Sequence, residues 1–530
     1  MSLLDEVQLL EALASACGAD SVITDAQDRS FFAADVYAEG ARPLCVIRPP
    51  SVAALSDALL AAHRAGLAIH PRGGGMSYTD AYLPQSTQSL LVDTSGLDRI
   101  LAIDARNLFC TVEAGVTWAA LDAALAPHGV RARFWGPMSG LTATVGGGVS
   151  HGAITFGSGQ VGAAGAAVLG LTVVLADGRI VKTGMDAQAG ALPFLRGYGP
   201  DLTGLFCHDG GALGVKAEIT LALEPRPAVT DGVSFLFDDF ASMSACVEAI
   251  ARAGLASEVV ATDADVMRMG VATRTFSEDL ATGLRIFRAA PDVVSGLARL
   301  ARVALGGRRF FERAAYAAHF VVEGASPAET QLKLERARAL AGPGAHETSN
   351  AMPLFLRASP FNPLPVTAAD GRRLLALNAI MPFGALEALH RDVEALVKAE
   401  KPALEAAGGT VMFVFTTLGL NAFLYEPFFY WKDSLALVHQ RRTPEALRAG
   451  WPEHPDNPAA RALVEAMKAK FVALFRAHGA AHVQIGRVYP WTADRQPEHM
   501  ALMAEIKALV DPAGRMNPGV LGLSPAEPRR

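Results

Sequence analysis

A chain of 530 residues, 51% hydrophobic and 19% charged, has enough apolar material to fold around more than one sizeable core. Its net charge of −6 and pI near 6.1, with no basic run beyond pairs such as Arg441-Arg442, exclude nucleic acid as an expected partner. No stretch reaches the roughly 20 uninterrupted apolar residues of a membrane span, and the start at Asp5 and Glu6 lacks a basic leader, so the chain reads as soluble and cytoplasmic with no integral membrane segment.

From the N-terminus, Leu3 to Ala16 has helical periodicity and stops at Gly18. Leu44-Cys45-Val46-Ile47 reads as a buried strand, Ser51 as the cap of a helix through Ala53, Leu55, Leu59 and Ala62, and Gly66 as its stop. Leu67 to His70 then completes a βαβ unit and delivers the loop Pro71-Arg72-Gly73-Gly74-Gly75-Met76-Ser77-Tyr78. The logic repeats with strand Phe109 to Glu113, turn Gly115, cap Thr117 and helix Trp118 to His128 closed by Gly129, leading to Ser139-Gly140-Leu141-Thr142-Ala143-Thr144-Val145-Gly146-Gly147-Gly148. Gly170 to Leu175 and Arg179 to Thr183 flank Ala176-Asp177-Gly178, a hairpin signal. Lys216 to Leu223 alternates as a strand before Glu224-Pro225-Arg226-Pro227, whose proline pair marks a boundary: residues 1–228 form a first domain, 229–490 a second, and 491–530 a segment returning to the first. The second domain mixes helices such as Ala459 to His478 with strands such as Thr410 to Phe415, and a helix from Glu498 to Val510 leads into the tail Asp511 to Gly519. The cysteines, Cys17, Cys45, Cys110, Cys207 and Cys246, are far apart without a CxxC pair, so they read as reduced core residues and no metal is expected.

Only glycine lets successive N–H groups converge on an anion without a Cβ in the way. Two such loops, one βαβ unit apart, point to one elongated ligand lying across both, a dinucleotide. Gly157-Ser158-Gly159-Gln160-Val161-Gly162 also satisfies GxGxxG, with Asp177 at the distance of a ribose-binding acid, which would make a nicotinamide-dependent dehydrogenase. That reading is remote, because the strand before it is short, Gly162 to Ala167 is thin for a crossover helix, and Asp177-Gly178 is better used as a turn.

Several stretches carry a more specific resemblance. They are the two glycine loops, Val112-Glu113-Ala114-Gly115-Val116-Thr117-Trp118, Gly170 to Gly178, Gly199-Pro200-Asp201-Leu202-Thr203-Gly204-Leu205-Phe206 leading into Gly210-Gly211-Ala212-Leu213-Gly214-Val215, and Asp511 to Gly519. In this order they resemble the FAD-binding flavoproteins of the vanillyl-alcohol oxidase and p-cresol methylhydroxylase (PCMH) family, with features of the D-lactate dehydrogenase and glycolate oxidase branch. The resemblance implies an α+β fold, a two-subdomain PCMH-type FAD-binding domain plus an α+β cap over the substrate. It also implies that Arg72, Gly73, Gly74, Gly75, Met76 and Ser77 wrap the FAD diphosphate, that Ser139, Thr142, Thr144, Gly146 and Gly147 line its other side, and that Gly211 to Val215 run past the adenine-ribose end. Met76 stands where some members carry a histidine joined to the flavin, so FAD is expected to be held non-covalently, with a linkage from His439, His478 or His482 of the cap left open. The histidine-glycine metal motif of members acting on D-2-hydroxy acids is not found.

The implied chemistry is oxidation of an alcohol or 2-hydroxy acid by hydride transfer to flavin N5, which needs a group that receives the hydroxyl proton and donors that stabilise charge on oxygen. Two aromatic and polar clusters supply catalytic candidates: Tyr425 and Tyr430 within Tyr425-Glu426-Pro427-Phe428-Phe429-Tyr430-Trp431, and Arg487 with Tyr489 within Arg487-Val488-Tyr489-Pro490-Trp491. On an extended segment Arg487 and Tyr489 share a face and together could grip a carboxylate or phenolate. Packing in an aromatic cap core explains the same residues about as well. The alternative substrate is a phenolic or benzylic alcohol, weakened by the missing acid in Phe156-Gly157-Ser158-Gly159, and a flavoprotein that only binds partners is the non-enzyme alternative. The electron acceptor, whether oxygen, a quinone or a carrier protein, is left open, and a homodimer is compatible with the chain.

Overall fold

The computed structural model describes residues 4–272, 314–361, 366–368 and 370–523. Among them the strands form three sheets. In the first, Cys45–Ile47 and Ala68–Arg72 both run parallel to Ser89–Asp93, which lies between them, with Val22–Ile23 at the edge. The helix of the expected βαβ unit forms over Val52–Ala65, with the Ser51 hydroxyl accepting from the Ala54 amide and Gly66 closing it at φ +75°. Its Leu55, Ala58, Leu59 and Ala62 pack on the sheet. The strand inserted between the two was not assigned from sequence. Leu90, Leu91 and Val92 are wholly buried, and such an apolar run takes the centre of a parallel sheet.

The second sheet is antiparallel and runs Ile100–Asp104, Phe109–Glu113, Val215–Pro225, Val168–Val174 and Ile180–Lys182, with Val130–Ala132 also paired to Val215–Pro225. The Asp177-Gly178 hairpin forms, the Asp177 carboxylate accepting from Arg179 Nε at 2.7 Å. The GxGxxG stretch yields a one-turn helix, Ser158–Val161, and a short 3-10 turn at Ala164–Ala167, so it has no crossover helix and Asp177 is spent on the turn. That removes the geometry a nicotinamide site requires.

Pro225 ends the strand Val215–Pro225 of the second sheet, and Pro227 lies in the link to the third, which begins with Val229–Phe237. The third sheet is antiparallel, ordered His346–Thr348, Val229–Phe237, Tyr316–Gly324, Glu258–Asp263, Gly409–Leu418 and Ala422–Trp431, with Arg373–Ala376 and Ala379–Pro382 both paired to the last strand. Helices Phe240–Arg252, Leu386–Ala406 and Pro458–Ala477 bring apolar residues onto the core of this sheet, which buries Phe320, Phe415, Phe423, Phe429, Trp431, Phe471 and Phe475. The chain then returns to the first sheet: the Ile69 amide donates to the Arg515 carbonyl, and the Asn517 amide to the Ile69 carbonyl, each at 2.8 Å. No helix among the described residues is long and apolar enough to cross a membrane.

Candidate active site

Strand Ala68–Arg72 ends at the first glycine loop, and the second loop meets it directly. A Cβ on Gly73 would lie 2.5 Å from Thr144 Oγ1, and one on Gly74 would overlap the Thr142 carbonyl. Thr144 caps helix Val145–His151, its hydroxyl accepting from the Gly147 amide. A third turn joins them. Gly210 and Gly211 adopt φ of +58° and +78°, and the Asp209 carboxylate accepts the Gly211 and Leu213 amides at 2.9 and 3.1 Å while pairing with buried Lys216. The three turns wall one end of a cavity of about 340 Å³, lined there by Arg72 to Ser77, Ser139, Thr144, Gly146, Gly147, Gly211 and Val215. Thr142 supports the wall from behind Gly74.

The other wall is one face of strand Ala422–Trp431. Side chains alternate along a strand, so Glu426, Phe428 and Tyr430 face the cavity while Phe423, Tyr425, Phe429 and Trp431 enter the cap core. Leu374 and Ala376 from the neighbouring strand complete that face, and Tyr78, Thr367 and Gln484 close it. Desolvation pushes the carboxyl pKa of Glu426 up to about 8. Its charge in turn raises the phenols of Tyr78 and Tyr430, the latter to about 12, with burial the larger cause in both. His151 also reaches the cavity, held down to about 4 by burial and therefore neutral.

Arg72 Nε and Nη2, His151 Nδ1 and Thr367 Oγ1 line this cavity, buried without a hydrogen-bond partner. Buried polar groups are almost always satisfied, so these mark places for a ligand's acceptors and donors. With glycine turns that a Cβ would fill, the residues fit a flavin dinucleotide.

Three candidate residues sit elsewhere. Arg487 spends its guanidinium on carbonyls, donating to Asp80, to Leu83 at 3.2 Å and to Pro518 at 2.7 Å, and fastens the tail to the chain beyond the first loop. Tyr489 is buried, accepts from the Asn378 amide at 2.7 Å and stacks on His482 at 3.9 Å. Tyr425 is buried in the cap core with its hydroxyl 2.9 Å from His390 Nδ1. Of the four catalytic candidates, Tyr430 alone reaches the cavity, and Glu426, Tyr78 and His151 join it there. Glu426 is legible in the sequence as an acid in an aromatic strand, but aromatic residues on both faces of that strand hide which parity meets the cavity.

None of the three open histidines lines this cavity. His439 bonds the Val36 carbonyl and the Ala436 amide, His478 pairs with Asp392, and His482 bonds the Asn378 carbonyl.

Comparison with known proteins agrees with this geometry. The FAD binding domain family matches residues 43–184, and the C-terminal domain of FAD linked oxidases matches residues 463–521. An FAD-linked oxidoreductase of Mycobacterium tuberculosis is 30% identical over 41% of this chain and 46% of its own length. The mitochondrial D-lactate dehydrogenase (cytochrome) 1 of Saccharomyces cerevisiae is 26% identical over 44% of this chain and 38% of its own. The chain thus spans less than half the length of the curated relatives it matches. In fold, p-cresol methylhydroxylase with substrate bound superposes with a TM-score of 0.71 at 15% identity, over 98% of this chain and 97% of that one.

Proposed function

We propose that this chain, whose residues 43–184 match the FAD binding domain family and whose fold is like that of p-cresol methylhydroxylase, oxidises the CH–OH group of an uncharged alcohol of apolar, benzylic character. The observation that carries this is the cavity face of strand Ala422–Trp431, where one acid, Glu426, shares the face with Phe428 and Tyr430 and Tyr78 closes the same wall. Bound FAD supplies the hydride-accepting, two-electron centre. Arg72 to Ser77, Ser139, Thr144, Gly146, Gly147, Gly211 and Val215 would hold its diphosphate and ribose, leaving the Glu426 end for its ring and the substrate.

Glu426 receives the hydroxyl proton. A base works best when its pKa lies near the working pH, and desolvation has moved Glu426 to about 8. Tyr78 and Tyr430, kept protonated by burial and by Glu426, donate to the substrate oxygen. Met138, Ile154, Leu374, Ala376 and Phe428 keep water from this end and accept an apolar substrate body.

A 2-hydroxy acid is the second reading, favoured by the similarity to a D-lactate dehydrogenase. Its carboxylate calls for a cation, and Arg372 is the candidate, lying 5.6 Å over the Tyr430 ring but paired with Asp370. Arg72 and Lys216 are on the cavity wall among the glycine turns, and Lys216 is neutralised by Asp209. The test is anaerobic bleaching of the flavin by a panel of benzylic alcohols, 2-hydroxy acids and alkylphenols. Fast bleaching by benzylic alcohols is expected; bleaching by hydroxy acids alone would move the assignment to the second reading.

Non-covalent FAD belongs to the same proposal, since Met76 occupies the loop position and the cap histidines are engaged elsewhere. Acid precipitation should leave yellow FAD in the supernatant. A yellow pellet would mean that the flavin is covalently held and would overturn this part of the proposal.

A further inference from the structure

Phe31 has three guanidinium groups around its ring: Arg441 at 5.2 Å, Arg72 at 5.5 Å and Arg442 at 5.5 Å. Their charges are treated differently. Arg441 is neutralised by Asp28 at 2.7 Å. No ion pair is made by Arg72 or Arg442 among the described residues, and Arg72 Nε, Arg72 Nη2 and Arg442 Nε are buried without a hydrogen-bond partner, their other neighbours being the rings of Phe31, Phe32 and Tyr82. The acid whose field reaches Arg442 is Asp93, and it is already bound to Arg48 at 3.0 Å and to the Ser95 hydroxyl. Both arginines lie against the first glycine loop, with Arg442 Nη2 2.8 Å from where a Cβ on Gly75 would be.

Burying charge without a partner is costly, and two like charges side by side add to the cost. Burial and the neighbouring Arg72 lower Arg442 to about 10, which leaves it charged at neutral pH. Such an arrangement persists where an anion neutralises it.

We propose that Arg442, supplied by the C-terminal half of the chain, binds the diphosphate of FAD together with Arg72 across the first glycine loop. The two cations match the two diphosphate charges, and a guanidinium presents several donors to phosphate oxygens. Helix Leu437–Arg442 packs beside helix Ala26–Phe32, so cofactor binding through Arg442 ties the later half of the chain to the loop of the first sheet. The proposal rests on the flavoprotein reading and adds a residue to it.

The test titrates apoprotein with FAD and with riboflavin, which lacks phosphate, and follows the quenching of flavin fluorescence in wild type, Arg442→Gln and Arg442→Lys. Arg442→Gln should weaken FAD binding about tenfold or more, the worth of one charge-assisted contact, with riboflavin affinity unchanged and Arg442→Lys between the two. The melting temperature of the apoprotein should rise in Arg442→Gln, because an uncompensated charge is gone. FAD affinity of Arg442→Gln within about twofold of wild type would overturn the assignment, as would an equal loss of riboflavin, which would indicate a distorted loop. Wild-type apoprotein that takes up riboflavin and FAD equally poorly would overturn the flavoprotein reading itself.

Discussion

Tyr425 and Glu426 are adjacent in sequence and face opposite ways, and the consequences for chemistry follow from that parity. Glu426→Gln should slow anaerobic flavin reduction by about 10²–10⁴-fold, the usual worth of a general base, while leaving FAD affinity unchanged. In wild type the reduction rate should climb as pH passes through about 8, since the carboxylate is the active form; in Glu426→Gln the profile should be flat there. Stability carries the opposite sign. The pKa of Glu426 is raised on folding from 4.5 to about 8, so its contribution is fully present below pH 4.5 and is lost as pH rises through 8. Thermal melts should therefore show Glu426→Gln gaining on wild type at pH 9 relative to pH 4. The sequence displayed the alternation of this strand, but not which parity meets the ligand, because both faces are aromatic. The pairing of Arg487 with Tyr489 failed for a different reason. The Tyr489 amide bonds the Ile485 carbonyl, four residues back, so the segment turns and the two side chains do not share an extended face. Substrate affinity should survive Arg487→Ala, with the loss appearing instead as about 1–3 kcal/mol of stability in denaturant melts, from carbonyls left without their donor.

At the scale of elements, the glycine turns and the tail decide whether the cavity exists. Gly74→Ala places a methyl inside the Thr142 carbonyl, so the two loops must part. About 1–3 kcal/mol of overpacking strain is expected, and FAD titration should show a weakened site even where the apoprotein still melts cooperatively. The tail is a second determinant. Asn517, at φ +43°, donates to the Ala81 and Gly210 carbonyls at 2.8 and 2.7 Å and sits 3.0 Å from His70 Nδ1 through its amide oxygen, linking the first loop's strand to the third turn. These elements were largely legible: caps at Ser51 and Thr117 and stops at Gly66 and Gly129 are local signals that the structure retains. Strand Ser89–Asp93 was not, because its place is set by pairing with two distant strands and no local residue announces it.

At the scale of the whole molecule, one link between the second and third sheets is ionic. Arg131, on the second sheet, makes two parallel bonds of 2.8 and 2.7 Å to Glu323 on the third, while Arg357 pairs with both Glu323 and Glu258 at 2.6 Å. The cluster is buried, and the guanidinium of Arg357 lies 4.7 Å over Trp135. None of this could be seen in sequence, where the four charges are scattered over more than two hundred positions of an unremarkable surface pattern. Arg131→Leu leaves Glu323 and Glu258 sharing the single cation Arg357, an excess of buried negative charge, so it should cost about 3–5 kcal/mol. Because the candidate FAD site is walled by glycine turns of the first part and by strand Ala422–Trp431 of the third sheet, a cofactor held there would bridge the same divide. Saturating FAD stabilises the bound form by about 2.7 kcal/mol at one hundred times its dissociation constant. Arg131→Leu apoprotein should accordingly melt in two steps as the sheets uncouple, and added FAD should merge them, read by calorimetry at rising FAD concentration. A single unshifted transition in the variant would mean that the apolar contacts alone join the two halves and that Arg131 and Glu323 merely sit between them.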